Sequence, residues 1–132
     1  MTLPCSSFRI LQRYFRWLAF VTLALWLSAI VALSLLPFDT IAFMAPSLAD
    51  NVIHAAAYGI GALIACLAFS RPLLVWTTTS LIGTVVEFGQ GWVGTGRSPE
   101  FEEAIANGLG ALLGVTLALA MRAGSHWIEQ RR

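Results

Sequence analysis

The sequence predicts an all-α polytopic membrane protein with four transmembrane helices. Hydrophobic residues make up 58% of the 132 residues and charged residues only 11%, which is far from the composition of a soluble globular protein. Four apolar runs are each close to the roughly 20 residues that a helix needs to cross a bilayer. Prolines, glycines and arginines separate the runs, as is typical of helix boundaries. A chain of this length forms one domain.

The four apolar runs define the expected helices. In chain order they cover 17–36, 52–70, 72–93 and 104–121. The first and fourth contain no charged residue, whereas the second contains His54 and the third contains Glu87. The expected organisation is a cytoplasmic N-terminal segment over 1–16, a transmembrane domain over 17–121 and a cytoplasmic tail over 122–132. A cleaved signal peptide is the alternative for the first run, although that run is longer than the usual apolar region of such a peptide.

The basic residues predict the orientation in the membrane. All eight are arginines, and in a four-span chain seven of them fall on one side. These seven are Arg9, Arg13, Arg16, Arg71, Arg122, Arg131 and Arg132. Cytoplasmic segments of membrane proteins carry an excess of positive residues, so we expect both termini in the cytoplasm. The net charge of +1 gives no basic surface for nucleic acid, and we expect no nucleic-acid partner.

Polar and ionisable residues gather where helices 2, 3 and 4 approach the opposite, outer side. Placing such groups in an apolar chain is costly and marks a candidate functional site. The candidate site consists of His54, Glu87, Gln90, Arg97, Glu103 and Asn107, with Asp50 and Tyr58 as secondary members. Asp50, His54 and Tyr58 are four residues apart in sequence, so they share one face of helix 2. We expect these side chains to line one cavity at the outer membrane boundary.

Each candidate residue also has a purely structural interpretation. Asp50 and Glu103 suit the first turn of a helix, where carboxylates complement the helix dipole. His54 can serve as a hydrogen-bond partner between helices. An unpaired carboxylate in hydrocarbon seeks a partner, so we expect Glu87 to interact with Arg97 or with His54. The spacing leaves open whether that contact does chemistry or holds helices together.

The remaining motifs concern glycine and cysteine. Gly110 and Gly114 form a GxxxG motif, which favours close helix packing within the bundle or in a homo-oligomer. The segment 89–94 matches GxGxxG, but it ends a membrane helix and follows no strand, so it does not indicate a dinucleotide site. Cys5 and Cys66 lack metal-ligand spacing. We therefore expect no disulfide, no metal and no cofactor.

Five short segments follow one another in a recognisable order. They are Ser34-Leu35-Leu36-Pro37, Asp50-Asn51-Val52-Ile53-His54 with Tyr58, Glu87-Phe88-Gly89-Gln90, Gly96-Arg97-Ser98, and Glu103-Ala104-Ile105-Ala106-Asn107 with Gly110 and Gly114. Together they resemble the VanZ-like family of small bacterial membrane proteins, over roughly 34–119. Two positions depart from the family pattern: Asn51 stands where the family usually has Lys, and Glu103 where it usually has Asp.

The resemblance implies a multi-pass protein of the bacterial inner membrane and cell envelope. The family's namesake is associated with resistance to glycopeptide antibiotics of the teicoplanin type. We expect the outer polar site to bind or modulate an amphiphilic envelope component, namely a membrane lipid, a lipid-linked glycan, or a glycopeptide or lipopeptide. One alternative is a membrane enzyme that acts on a lipid head group with Glu87 and His54 as acid and base. The other is a structural or assembly subunit whose polar residues only lock helix packing.

Overall fold

The part of the chain that the structure describes folds into four α-helices. The computed structural model describes residues 5–34, 50–93 and 99–130, and none of these residues lies in a strand. The helices are α1 (Cys5–Ser34), α2 (Asp50–Ala68), α3 (Pro72–Val93) and α4 (Phe101–Glu129). The predicted all-α fold is therefore confirmed. The helices also extend beyond the apolar runs, because α1 begins inside the predicted N-terminal segment and α4 continues into the predicted tail.

Membrane-spanning composition is found in three of the four helices. Among the described residues, the segments long and apolar enough to cross a bilayer are Arg13–Ser34, Asp50–Ala68 and Phe101–Ser125. The helix α3 carries the hydroxyl run 77–80 as well as Glu87 and Gln90, and these polar side chains lower its hydropathy. Within the described ranges the structure thus contains four helices, and three of them have a spanning composition. Large apolar side chains cover the outside of the bundle, as a lipid-facing surface requires; examples are Leu25, Leu73 and Leu113.

The closest helix pair is α2 with α4, and glycines make the approach possible. A Cβ atom at Gly110 would overlap the carbonyl oxygen of Ala55, and one at Gly114 would overlap the carbonyl oxygen of Gly59. The GxxxG motif therefore packs α4 against α2 within one chain, as small residues do between membrane helices. A homo-oligomer through Gly110 and Gly114 stays a prediction.

Tryptophan side chains hold the other two helices. On α1, Trp26 donates a hydrogen bond from Nε1 to the carbonyl oxygen of Ala57 at 3.0 Å. Its ring lies edge-on to Tyr58, with 5.7 Å between ring centroids. On α3, Trp76 donates from Nε1 to the carbonyl oxygen of Gly108 at 3.1 Å. These contacts satisfy the indole N–H groups in an apolar setting, so α1 docks on α2 and α3 docks on α4.

The bundle has two chemically different ends. We call the polar end the one where α2 and α4 begin and α3 finishes, and the apolar end the one where α2 finishes. Toward the apolar end the core consists of small apolar side chains. Arg122 donates hydrogen bonds to the carbonyl oxygens of Cys66 and Phe69 there, and so satisfies backbone groups where α2 ends. The candidate site lies at the polar end.

Candidate functional site

Four polar side chains are almost completely buried at the polar end, and a partly buried histidine joins them. Glu87 and Gln90 on α3 are each 1% exposed, and Glu103 and Asn107 on α4 are 3% and 0% exposed. His54 reaches the group from α2. Charged and amide side chains are rarely buried to this degree without a partner or a function. Three helices therefore bring their polar residues into one cluster.

His54 bridges two residues of α4. Its Nε2 atom lies 3.3 Å from Glu103 Oε2, within ion-pair distance, and its Nδ1 atom lies 3.0 Å from Asn107 Oδ1. Glu103 and Asn107 are one helical turn apart, so both present to the same side of α4. An amide oxygen accepts but does not donate, so Nδ1 carries the proton in this contact. The imidazole is thereby held at both nitrogens.

Glu87 contacts the beginning of α4. The backbone N–H of Glu100 donates to Glu87 Oε1 at 3.0 Å, and the first helical hydrogen bond of α4 runs from Ala104 N to Glu100 O. A carboxylate at a helix N-terminus satisfies an unpaired N–H and complements the helix dipole. Glu87 therefore caps a helix other than its own. Local sequence carries no signal for such a cap, which is why sequence reasoning missed it.

The expected partners of Glu87 can now be placed. Arg97 lies outside the described residues. His54 is close, because ligand atoms of His54, Glu87 and Glu103 all lie within 4.8 Å of one another. The ion-pair contact of His54 is nevertheless with Glu103. The structure thus adds a Glu103 contact that the sequence interpretation, which considered Glu87 as the partner of His54, had not included.

A glycine on α3 makes room for Asn107. A Cβ atom at Gly83 would lie 2.8 Å from the Asn107 Cβ atom and 2.9 Å from its Nδ2 atom. The Asn107 side chain therefore lies directly over the backbone of α3, between α3 and His54. Gly83 was not singled out from the sequence, since an isolated glycine in a helix shows a close approach only once the neighbouring helix is known.

A cavity of about 120 Å³ opens beside the cluster. Its apolar wall includes Ile30 and Leu33 of α1 together with Ile53 of α2. Its polar lining consists of Ser34, Asp50, His54, Tyr58 and Gln90. The secondary candidates thus lie in the same cavity as two main ones, while Glu103 and Asn107 connect to it through their contacts with His54.

Two buried polar atoms of the cluster have no hydrogen-bond partner among the described residues. They are Glu87 Oε2 and Asn107 Nδ2. Buried polar atoms are normally paired, and an orphaned one calls for a ligand, an ion or water. The cluster can therefore accept a polar group or a cation. The His54–Glu103 contact lies within ion-pair distance at 3.3 Å.

An apolar helical bundle with ionisable side chains buried at one end is typical of membrane proteins, in which buried ionisable residues are functional candidates. Residues 6–122 match the family model described as VanZ/LLP1. The chain therefore belongs to the VanZ/LLP1 family, and the resemblance found in the sequence is confirmed. The comparison with curated proteins and the comparison with solved structures each gave no significant match.

Proposed function

We propose that this chain is a four-span protein of the bacterial inner membrane that binds or modulates an amphiphilic component of the cell envelope. In this proposal both termini are cytoplasmic and the polar end faces the outer leaflet. The occupant has an acyl or polyprenyl chain and a polar head, as a membrane lipid, a lipid-linked glycan or a lipopeptide has. The seven arginines that the four-span topology assigns to the side opposite the polar end support this orientation.

The observation that carries the proposal is the amphipathic lining of the cavity. Its volume of about 120 Å³ corresponds to a few water molecules at roughly 30 Å³ each, so it suits part of a head group. Leu33 of α1 lines the cavity and is also 47% exposed on the outside of the bundle. An apolar chain that leaves the cavity past Leu33 would therefore meet the surface that faces lipid.

The polar lining selects for hydrogen-bonding head groups. His54, Tyr58 and Gln90 offer both donors and acceptors, whereas Asp50 adds a carboxylate to the same cavity. Neutral hydroxyl and amide groups of a glycan or a peptide suit this mixture. A binding site usually combines such an apolar wall with a few placed polar groups.

The test is a blocked cavity in the purified protein. Leu33→Trp places a larger side chain at the cavity wall, and Leu25→Trp makes the same change at an exposed position of α1 outside the cavity lining. Native mass spectrometry of the detergent-purified chain should show a bound lipid-like mass in the wild type and in Leu25→Trp, and should show it strongly reduced in Leu33→Trp. Equal retention in both variants would contradict binding at this cavity.

Reporter fusions test the orientation and the crossing by α3. A fusion after Arg132 should report the cytoplasm, and a fusion at Thr95 should report the periplasm. With a third fusion at Arg71 that also reports the cytoplasm, these results require α3 to cross, because the chain must then change sides between Arg71 and Thr95. A periplasmic C-terminus, or a cytoplasmic Thr95, would contradict the four-span topology.

A link to glycopeptide resistance belongs to the same proposal. If the bound amphiphile is an envelope target or a lipid-bearing antibiotic of that class, expression of the chain should raise the inhibitory concentration of a teicoplanin-type antibiotic. Expression of Leu33→Trp at equal abundance should not. An unchanged inhibitory concentration with the wild type would remove resistance from the proposal while leaving lipid binding to the mass measurement.

A second candidate function is a membrane enzyme that acts on a lipid head group. The 3.3 Å contact between His54 Nε2 and Glu103 Oε2 favours it, since acid–base catalysis needs a proton-transferring group within hydrogen-bond reach. Incubation of the protein with extracted envelope lipids separates the two functions. New lipid products that disappear with Glu103→Gln indicate catalysis, and recovery of unchanged lipid indicates binding alone.

A further inference from the structure

The polar end also contains three side chains of the types that bind metal ions, and no local sequence motif predicts this group. Ligand atoms of His54, Glu87 and Glu103 lie within 4.8 Å of one another, and they come from α2, α3 and α4. We propose that these three side chains bind one divalent transition-metal ion, of the kind represented by Zn²⁺ and Mn²⁺. One imidazole nitrogen with two carboxylates is a ligand set that such ions accept.

The distance between the histidine and the α4 carboxylate matches a coordination sphere. Two ligands at about 2.0–2.1 Å from a tetrahedral ion lie roughly 3.3–3.4 Å from each other. His54 Nε2 and Glu103 Oε2 are 3.3 Å apart. A Glu87 carboxylate oxygen lies within 4.8 Å of both atoms, and rotation about the side-chain bonds of Glu87 would have to bring it to the same spacing in the bound state.

The hydrogen bond between His54 Nδ1 and Asn107 leaves the other ring nitrogen, Nε2, facing the proposed ion. Nδ1 donates to Asn107 Oδ1 at 3.0 Å, so in the neutral imidazole Nε2 holds a lone pair. That lone pair faces the Glu103 carboxylate at 3.3 Å. Either a proton or a metal cation between the two atoms joins them, and a bound metal takes the place of the proton. Metal-bound histidines almost always donate their second N–H to an oxygen in this way, which makes Asn107 the positioning residue.

The third proposed ligand, Glu87, has one carboxylate oxygen available to bind the ion. Glu87 Oε1 accepts from the Glu100 amide, while Glu87 Oε2 is buried and has no hydrogen-bond partner among the described residues. Glu87 is 1% exposed, and burial of a carboxylate is costly unless positive charge compensates it. A divalent cation supplies positive charge to Glu87 and Glu103 together.

The experiment uses the full-length chain in detergent, stripped with a chelator and titrated separately with ZnCl₂ and MnCl₂ in lipid-free buffer. Elemental analysis after gel filtration and isothermal titration calorimetry should give about one ion per chain. Glu87→Gln, Glu103→Gln and His54→Gln should each weaken binding at least tenfold, and Asn107→Ala should weaken it by about 10–100-fold. Glu102→Gln is the matched control, because Glu102 is an exposed carboxylate in the same helical turn as Glu103.

Several results would overturn the metal site. A wild-type chain that binds neither ion is one, and binding unchanged in the Glu87→Gln/Glu103→Gln double variant is another. Arg97→Gln tests whether a guanidinium occupies the place of the ion: metal binding at wild-type or higher affinity supports the proposal, and loss of metal binding contradicts it. Because the titration contains no lipid, its failure does not affect the amphiphile proposal, and a negative lipid measurement does not affect the metal site.

Discussion

The two ends of the α2–α4 helix pair are built on opposite principles. Toward the apolar end, alanines, valines and a buried cysteine fill the core. At the polar end, the same two helices place His54 against Glu103 and Asn107, at a cost in desolvation that an apolar core would not have. Since glycines and alanines already bring the helices together, close packing does not require the polar residues. The difference supports the proposal that the polar end has a role other than stability.

The largest expected effect comes from breaking the contact on which both ends depend. Gly110→Leu forces a side chain into the backbone of α2 at Ala55 and should lower the free energy of unfolding by about 3 kcal/mol or more. Gly89→Ala is the control, because nothing lies within 4 Å of a Cβ atom there. Thermal denaturation in detergent followed by circular dichroism measures both. Equal melting temperatures would mean that the α2–α4 contact does not support the fold.

The next largest expected effect on stability comes from removing His54 at the polar end. His54→Ala removes the partner of a glutamate side chain that is 4% exposed and leaves its charge uncompensated, which should cost about 3 kcal/mol. Glu102→Gln, at an exposed position of the same end, should change stability by less than about 0.5 kcal/mol. Chemical denaturation of the metal-free protein gives both values. A His54→Ala variant as stable as Glu102→Gln would show that the His54–Glu103 contact does not contribute to the free energy of unfolding.

A double-mutant cycle sharpens the role of Glu87. We expect Glu87 and Arg97 to be coupled by about 0.5–3 kcal/mol, since Arg97 is the basic residue on the outer side of the predicted topology. The single changes Glu87→Gln and Arg97→Gln should each destabilise the protein, and the double change should cost less than their sum. Strictly additive losses would leave the Glu100 amide as the partner through which Glu87 acts.

The smallest effect concerns the docking of α1. Trp26→Phe removes the hydrogen bond to the Ala57 carbonyl oxygen but keeps an aromatic ring, and it should cost about 1 kcal/mol. Trp92→Phe is the matched control, because Trp92 is 92% exposed. If the two variants have the same melting temperature, the hydrogen bond of Trp26 does not contribute to the docking of α1, and only apolar contacts stabilise it.

Much of the fold could be predicted from the sequence because hydropathy and helix-breaking residues are local signals. The third apolar run, 72–93, coincides with α3 (Pro72–Val93). The second run, 52–70, is offset from α2 (Asp50–Ala68) by less than one helical turn. The length of α4 was underestimated, since α4 continues through polar residues to Glu129. Hydropathy identifies the part of a helix that suits lipid and does not find the ends that extend into water.

The site was predictable as a set of residues but not as a set of contacts. Helical spacing places Asp50, His54 and Tyr58 on one face, and all three line the cavity. The choice of Glu103 as the partner of His54 depends on the rotation of α4 against α2, which the glycine contacts set. The cap that Glu87 supplies to α4 depends on two helices that are far apart in sequence. Such relations exist only in three dimensions.

The most direct test of the central claim is to replace the His54 contacts with apolar residues of similar size. The triple variant His54→Leu/Glu103→Met/Asn107→Leu removes His54 and both of its partners, so it leaves neither an uncompensated charge nor an unpaired amide there, and such exchanges are often neutral or stabilising. We predict that this variant unfolds at the same denaturant concentration as the metal-free wild type or a higher one, and that it loses both the co-purifying lipid and the bound Zn²⁺ or Mn²⁺. A variant that fails to fold, or that folds and keeps both ligands, would contradict the claim that the polar end exists to bind.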